Sequence, residues 1–98
     1  MAETVLVEVF RVLGRCPVFA GGERFRIEQG FRLIASSPVC LHALASVLPY
    51  YVALSRGVTP QSLGLAGPDG AAYVQCLDPQ ALTGGGTVTF RLTTNAAV

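Results

Sequence analysis

The stretch SSPVCLHALASVLPYYVALSRG (Ser36–Gly57) decides the fold, because it alone has helical rather than strand-like character over a long run. Ser36-Ser37-Pro38 is a helix-start signal, a serine cap followed by proline at the first helical position. Gly57, just past Arg56, is a natural stop. Leu41, Leu44, Leu48, Tyr51 and Leu54-Ser55 form one stripe. The opposite side holds His42, Ala45, Ser46, Pro49, Tyr50 and Ala53, which are small or aromatic rather than charged, so that side is not expected to face water. Pro49 lies mid-segment and predicts a kink, or a break into two helices.

Strand-like segments flank this helix on both sides. Upstream, Thr4–Leu13 (TVLVEVFRVL) is rich in β-branched and aromatic residues, with Leu6, Phe10 and Val12 on one side and Val5, Val7 and Val9 on the other. Both faces are apolar apart from Glu8 and Arg11, as in a central strand. After the turn-rich Gly14–Gly22, residues Arg24–Glu28 alternate, Phe25 and Ile27 inward, and pair with the first strand as a hairpin. Downstream, Val58–Gly70 is irregular, with a short helical turn opening at Thr59-Pro60-Gln61. Ala71–Cys76 is a third strand with Ala72, Val74 and Cys76 on one face. Asp78–Gly86 is a loop, and Thr87–Thr93 (TVTFRLT) is a fourth strand with Val88, Phe90 and Leu92 inward. The tail Thr94–Val98 is expected to fray. The prediction is one α+β domain over 1–98, ββαββ, with an antiparallel or mixed four-stranded sheet on one helix.

The chain has 98 residues, 51% hydrophobic and only 13% charged, against about 25% charged in an ordinary soluble domain. A monomer this small leaves much apolar surface in water, so a homo-oligomer is expected. Net charge is +1, with seven Arg, no Lys and six acidic residues spread along the chain. No basic stripe points to nucleic acid. Leu33–Ser55 is uncharged, but Ser36, Ser37, Pro38, His42, Ser46 and Pro49 interrupt it too often for a membrane span. Three cysteines are an odd number, and Met1-Ala2-Glu3-Thr4 does not read as a signal peptide. A reduced, cytoplasmic setting is expected.

Neither G-x-S-x-G, H-E-x-x-H, a P-loop nor C-x-x-C is present, and Gly84–Gly86 precedes a strand, which reads as a hairpin turn rather than a phosphate cradle. The remaining chemistry lies in the thiols. Cys40 falls in the first helical turn, where free N–H groups and the helix dipole favour a thiolate. With a helix antiparallel to the second strand, the third strand returns to the helix start, and Cys76 meets Cys40. Cys16, after the first strand, falls at the far end of the sheet unless its loop folds over or a neighbouring subunit supplies it. His42 is two residues beyond Cys40, on a different helix face.

Gly14-Arg15-Cys16-Pro17, Gly22-Glu23-Arg24-Phe25, the helix from Cys40 through Ala43-Leu44, Pro49, Ala53-Leu54 and Gly57, and Cys76-Leu77-Asp78-Pro79 together resemble a family of small three-cysteine domains, some catalogued as uncharacterised repeat proteins. Its motifs are L-G-x-C-P, C-P-x-A-L-H and C-P-D-P. The resemblance implies that Cys16, Cys40 and Cys76 match the family's cysteines, and it transfers no activity. Leu41 and Leu77 stand where the family has proline. Ala45 stands where many members have His, and His42, three residues earlier on roughly the same face, is the available substitute.

Three readings follow. Cys16, Cys40 and Cys76 bind Zn or an iron–sulfur cluster as thiolates. Alternatively, an apolar pocket places Cys40, His42 and Asp78 for acid–base or nucleophilic work on a hydrophobic small molecule. In the third reading the chain is an oligomeric interaction module whose thiols only pack.

Overall fold

The computed structural model describes residues 2–95. Its element order is β1 (Thr4–Gly14), β2 (Arg24–Glu28), β3 (Arg32–Ala35), α1 (Leu41–Ser55), β4 (Ala72–Gln75), α2 (Gln80–Thr83) and β5 (Gly86–Asn95). The strands form one antiparallel sheet in the order β3-β2-β1-β5-β4. The α+β class is as expected; the sheet has five strands rather than four, and there are two helices. β5 continues through Thr94 and Asn95, where fraying was expected, because both pair with the start of β1. Ala96–Val98 lie outside the described residues.

β1 is central, as its two apolar faces predict. Val5, Val7 and Val9 are buried under α1 together with Phe25 and Ile27 of β2 and Val88, Phe90 and Leu92 of β5. The expected grouping of Val12 with Leu6 and Phe10 is corrected by a bulge: Val9 pairs with Phe90 but Arg11 with Thr89, leaving Phe10 as the extra residue. Val12 therefore returns to the helix side and packs on the core, while Phe10 stays exposed, edge-on to Tyr73 at 5.2 Å between ring centroids.

β3 is absent from the sequence-based reading because it is a four-residue edge strand, mostly exposed, with Leu33 and Ile34 adjacent. Its signal is the turn before it. Gln29 and Gly30 both have positive φ, 60° and 84°, the combination of the primed hairpin turns, and Phe31 N–H donates to the Glu28 carbonyl.

α1 starts later than the Ser-Pro signal predicts. Pro38 holds the preceding residue extended, and Val39 and Cys40 pack against the core before the helix opens at Leu41. It runs unbroken through Pro49 and ends at Arg56 and Gly57 (φ 90°) as expected. Its buried residues are Ala43, Ser46, Val47, Leu54 and Ser55, with Leu44 and Tyr51 half-buried. Leu41 and Leu48 point outward instead of inward, at 78% and 51% exposed. A helix apolar nearly all round has no contrast by which its sequence can mark the inner face. The Ser55 carbonyl accepts the Glu3 N–H, so α1 runs back along the sheet antiparallel to β1. No helix among the described residues is long and apolar enough to cross a membrane.

On the open face of the sheet Arg91 donates to Asp69 (2.8 Å) and Glu8 (3.0 Å), and the Tyr73 hydroxyl donates to Asp69. The Arg91 hydrogen bond, helped by the Ala71 N–H, holds the Asp69 carboxyl below the usual carboxylate range. A depressed folded-state pKa stabilises above the unfolded value and is lost as pH falls through the folded one. Asp69→Asn is thus expected to be less stable than wild type at pH 7, with the gap in urea midpoints closing below about pH 4. A gap unchanged at pH 2.5 would refute this role for the ion pair.

Candidate functional site

Strand direction places the cysteines. β1 and β3 are both antiparallel to β2, and β1 and β4 are both antiparallel to β5, so β1, β3 and β4 run the same way and end at the same edge of the molecule. Cys16 follows β1, Cys40 follows β3 at the start of α1, and Cys76 follows β4. The expectation that Cys16 lies at the far end from the others is therefore corrected. It came from a helix following β2, whereas β3 carries the chain back before α1 begins.

All five candidate residues, Cys16, Cys40, His42, Cys76 and Asp78, line one cavity of about 180 Å³, walled by Pro17, Phe19, Ala43, Gly86, Val88 and Phe90. Taking about 30 Å³ per water, it has room for a small ligand of a few heavy atoms. All three thiols are free, Cys16 and Cys40 half-buried and Cys76 buried.

The sulfurs sit in different settings. Cys16 opens a tight loop whose N–H groups fold back on it, Val18 and Phe19 donating to its Sγ at 3.5 and 3.3 Å. Cys76 Sγ accepts the Val88 N–H (3.2 Å) and donates to the Gly86 carbonyl (3.6 Å), an extension of the β4–β5 ladder, where Cys76 N–H meets the Val88 carbonyl. Cys40 is the N-cap of α1, with extended backbone (φ −71°, ψ 135°), no side-chain capping bond and no acidic residue in the turn that follows. Because Cys40 precedes the helix, the helical-spacing argument that separates it from His42 does not apply, and both reach the cavity. His42 is otherwise exposed.

Asp78 is held by its own loop. Its Oδ1 accepts the Thr83 hydroxyl, and its backbone carbonyl accepts the Thr87 hydroxyl. Four residues of this predicted loop, Gln80–Thr83, form α2, which Gly84 ends in the left-handed conformation (φ 73°). The next two glycines lie close to other segments, Gly85 to side chains that can shift and Gly86 to backbone that cannot. A Cβ on Gly85 would strike the Asp78 carboxylate, and one on Gly86 would lie 2.7 Å from Arg15 C and Cys16 N. The triple glycine ends α2 and lets the Cys16 and Asp78 segments close on the start of β5. Sequence reasoning missed its part in the site, along with the aromatic walls Phe19 and Phe90, which touch edge-on at 5.8 Å between centroids.

Among the described residues no three His, Cys, Asp or Glu side chains are grouped closely enough to hold a metal ion. The arrangement is a thiol-lined, largely apolar pocket rather than an assembled ligand set. Comparison with protein-family models, curated proteins and solved structures found no match for this chain.

Proposed function

We propose that this protein is a small thiol-site module that takes up one soft metal ion, Zn(II) or the iron of a cluster, on Cys16, Cys40 and Cys76. The observation that carries this reading is that three separate elements deliver a cysteine each to the lining of one cavity. They are the three positions singled out by the resemblance to the three-cysteine domains. Backbone N–H groups directed at two of the sulfurs add support, since charge-assisted bonds to a thiolate are the stronger kind. Tetrahedral Zn–S bonds of about 2.3 Å require sulfurs about 3.8 Å apart. Binding therefore requires the thiols to draw inward, Cys40, which makes no side-chain capping bond, being the least held. His42 or water completes the four.

The test is titration of reduced, chelator-treated protein with Co(II) as a visible stand-in for zinc. Expected are one equivalent per chain, thiolate-to-cobalt charge-transfer bands, proton release on uptake, and loss of the bands in Cys40→Ala. Saturation at 1,000 times Kd raises stability by about 4 kcal/mol. Absence of the bands, and equal weak uptake by the triple Cys→Ser variant, would remove the proposal.

His42 and Asp78 on the same lining favour a second reading, an enzyme in which Cys40, His42 and Asp78 do acid–base or nucleophilic work on a hydrophobic small molecule. Alkylation of Cys40 far ahead of Cys16 and Cys76 in metal-free protein, suppressed by His42→Ala, supports it. Equal reactivity of the half-buried pair Cys16 and Cys40 would count against it.

A further inference from the structure

Cys16 lines two cavities. One is the inner thiol cavity of about 180 Å³ that it shares with Cys40 and Cys76. The other is a surface cleft of about 560 Å³, bordered by Gly14, Arg15, Pro17 and Ala20, which neither Cys40 nor Cys76 reaches. Cys16 thus stands between the outside and the other two thiols. We propose that Cys16 and Cys40 carry out thiol–disulfide exchange with a small, carboxylate-bearing disulfide that docks in the outer cleft.

The three sulfurs are held unequally, and this selects the pair. Cys76 is buried, its Sγ accepts the Val88 N–H and donates to the Gly86 carbonyl, and its own N–H is tied to the Val88 carbonyl. Turning that sulfur toward a partner breaks buried hydrogen bonds. Cys16 and Cys40 are half-buried and lie between elements, Cys16 after β1 and Cys40 between β3 and α1. Their backbone can adjust to the Cα separation of roughly 5.5–6 Å that a disulfide takes. Cys40 makes no side-chain capping bond that would hold it back.

The same geometry assigns the order of attack. The Val18 and Phe19 N–H groups donate to Cys16 Sγ at 3.5 and 3.3 Å, bonds that strengthen when sulfur carries the negative charge of the attacking thiolate. The cleft has the size of a small-ligand site. Arg15 on its rim is exposed and has no carboxylate partner among the described residues, so it is available to a carboxylate of the ligand. The Cys16 thiolate attacks one sulfur of the docked disulfide, giving a mixed disulfide and one small thiolate. Cys40, having lost its proton to water, then attacks Cys16 Sγ across the inner cavity and expels the second small thiolate. Both small thiolates take up a proton. Two protein thiols are oxidised, one small disulfide is reduced to two thiols, and no other oxidant takes part. If the metal reading above holds, this bond removes two of its three ligands, so oxidation and metal uptake exclude one another.

The test is treatment of reduced, metal-free protein with oxidised glutathione, followed by acid quench, alkylation and peptide mapping by mass spectrometry. Wild type is expected to end with one internal Cys16–Cys40 disulfide and an alkylatable Cys76. Cys40→Ser is expected to stop at a single glutathione adduct on Cys16. Arg15→Ala is expected to slow the reaction by about 2–5-fold, as for loss of an exposed ion pair, while leaving the rate with uncharged hydroxyethyl disulfide unchanged. Far-UV circular dichroism checks that both variants are folded. A wild type that stays as a mixed disulfide, a linkage through Cys76, a first adduct on Cys40, or equal slowing with both disulfides in Arg15→Ala would overturn the proposal. Cobalt uptake by the reduced protein is read separately, so failure of exchange and failure of the metal reading are told apart.

Discussion

Phe90→Ala is expected to lower stability by about 3–5 kcal/mol, the range for removing a fully buried Phe. Phe90 has no exposed surface, sits mid-strand in β5 between β1 and β4, and meets Phe19 edge-on. The cost combines lost transfer free energy, an unfilled cavity and the lost aromatic pair. A domain of this size rests on about 5–15 kcal/mol in all, so the variant is expected to be close to unfolding at 37 °C. With a urea slope of about 1–3 kcal/mol/M, the midpoint falls by at least about 1 M. Phe31→Ala is the matched comparison, since that ring is 74% exposed and its loss is expected within about 0.5 kcal/mol. Equal midpoints for the two variants would show that Phe90 is not the keystone its burial implies. Phe90 also walls the thiol cavity, so stability and ligand uptake are expected to fall together.

Gly86→Ala tests how the pocket is closed. Gly86 pairs with Gly14 at the end of the β1–β5 ladder, and the Arg15–Cys16 backbone passes directly over it. The added methyl meets Arg15 C and Cys16 N at 2.7 Å and Arg15 O at 2.9 Å. These are backbone atoms, which cannot swing aside as a side-chain end does. Either β5 or the Cys16 loop has to move. The expected cost is about 1–3 kcal/mol, as for overpacking elsewhere, with faster reaction of Cys16 toward a disulfide reagent as its loop lifts. Wild-type stability and unchanged thiol kinetics would contradict this close approach.

Much of the local structure was legible in the sequence. β2 was readable from the alternation of Phe25 and Ile27 with Arg24, Arg26 and Glu28, and β5 from Val88, Phe90 and Leu92 among threonines. In both, one face meets the core and the other does not, so burial leaves a period of two in the residue types. The centrality of β1 was readable for the opposite reason, both its faces being apolar. The bulge at Phe10 was not, because an extra residue in one strand exists only relative to its partner's register. Nor was the inner face of α1, where Leu41 and Leu48 turned outward although they looked like core.

The candidate site divides along the same line. The chemistry-bearing residues, three thiols with His42 and Asp78, were identifiable by type and motif alone. Their meeting depended on β3, four mostly exposed residues with little hydrophobic pattern of their own. That strand reverses the chain once more, and only then do the segments after β1, β3 and β4 all emerge at one end of the sheet. Local residue pattern therefore determined which segments are strands or helix, since each buries its own apolar face. Tertiary pairing alone decided strand direction, and hence which loops share a pocket, because direction is a property of neighbouring strands and not of any one of them.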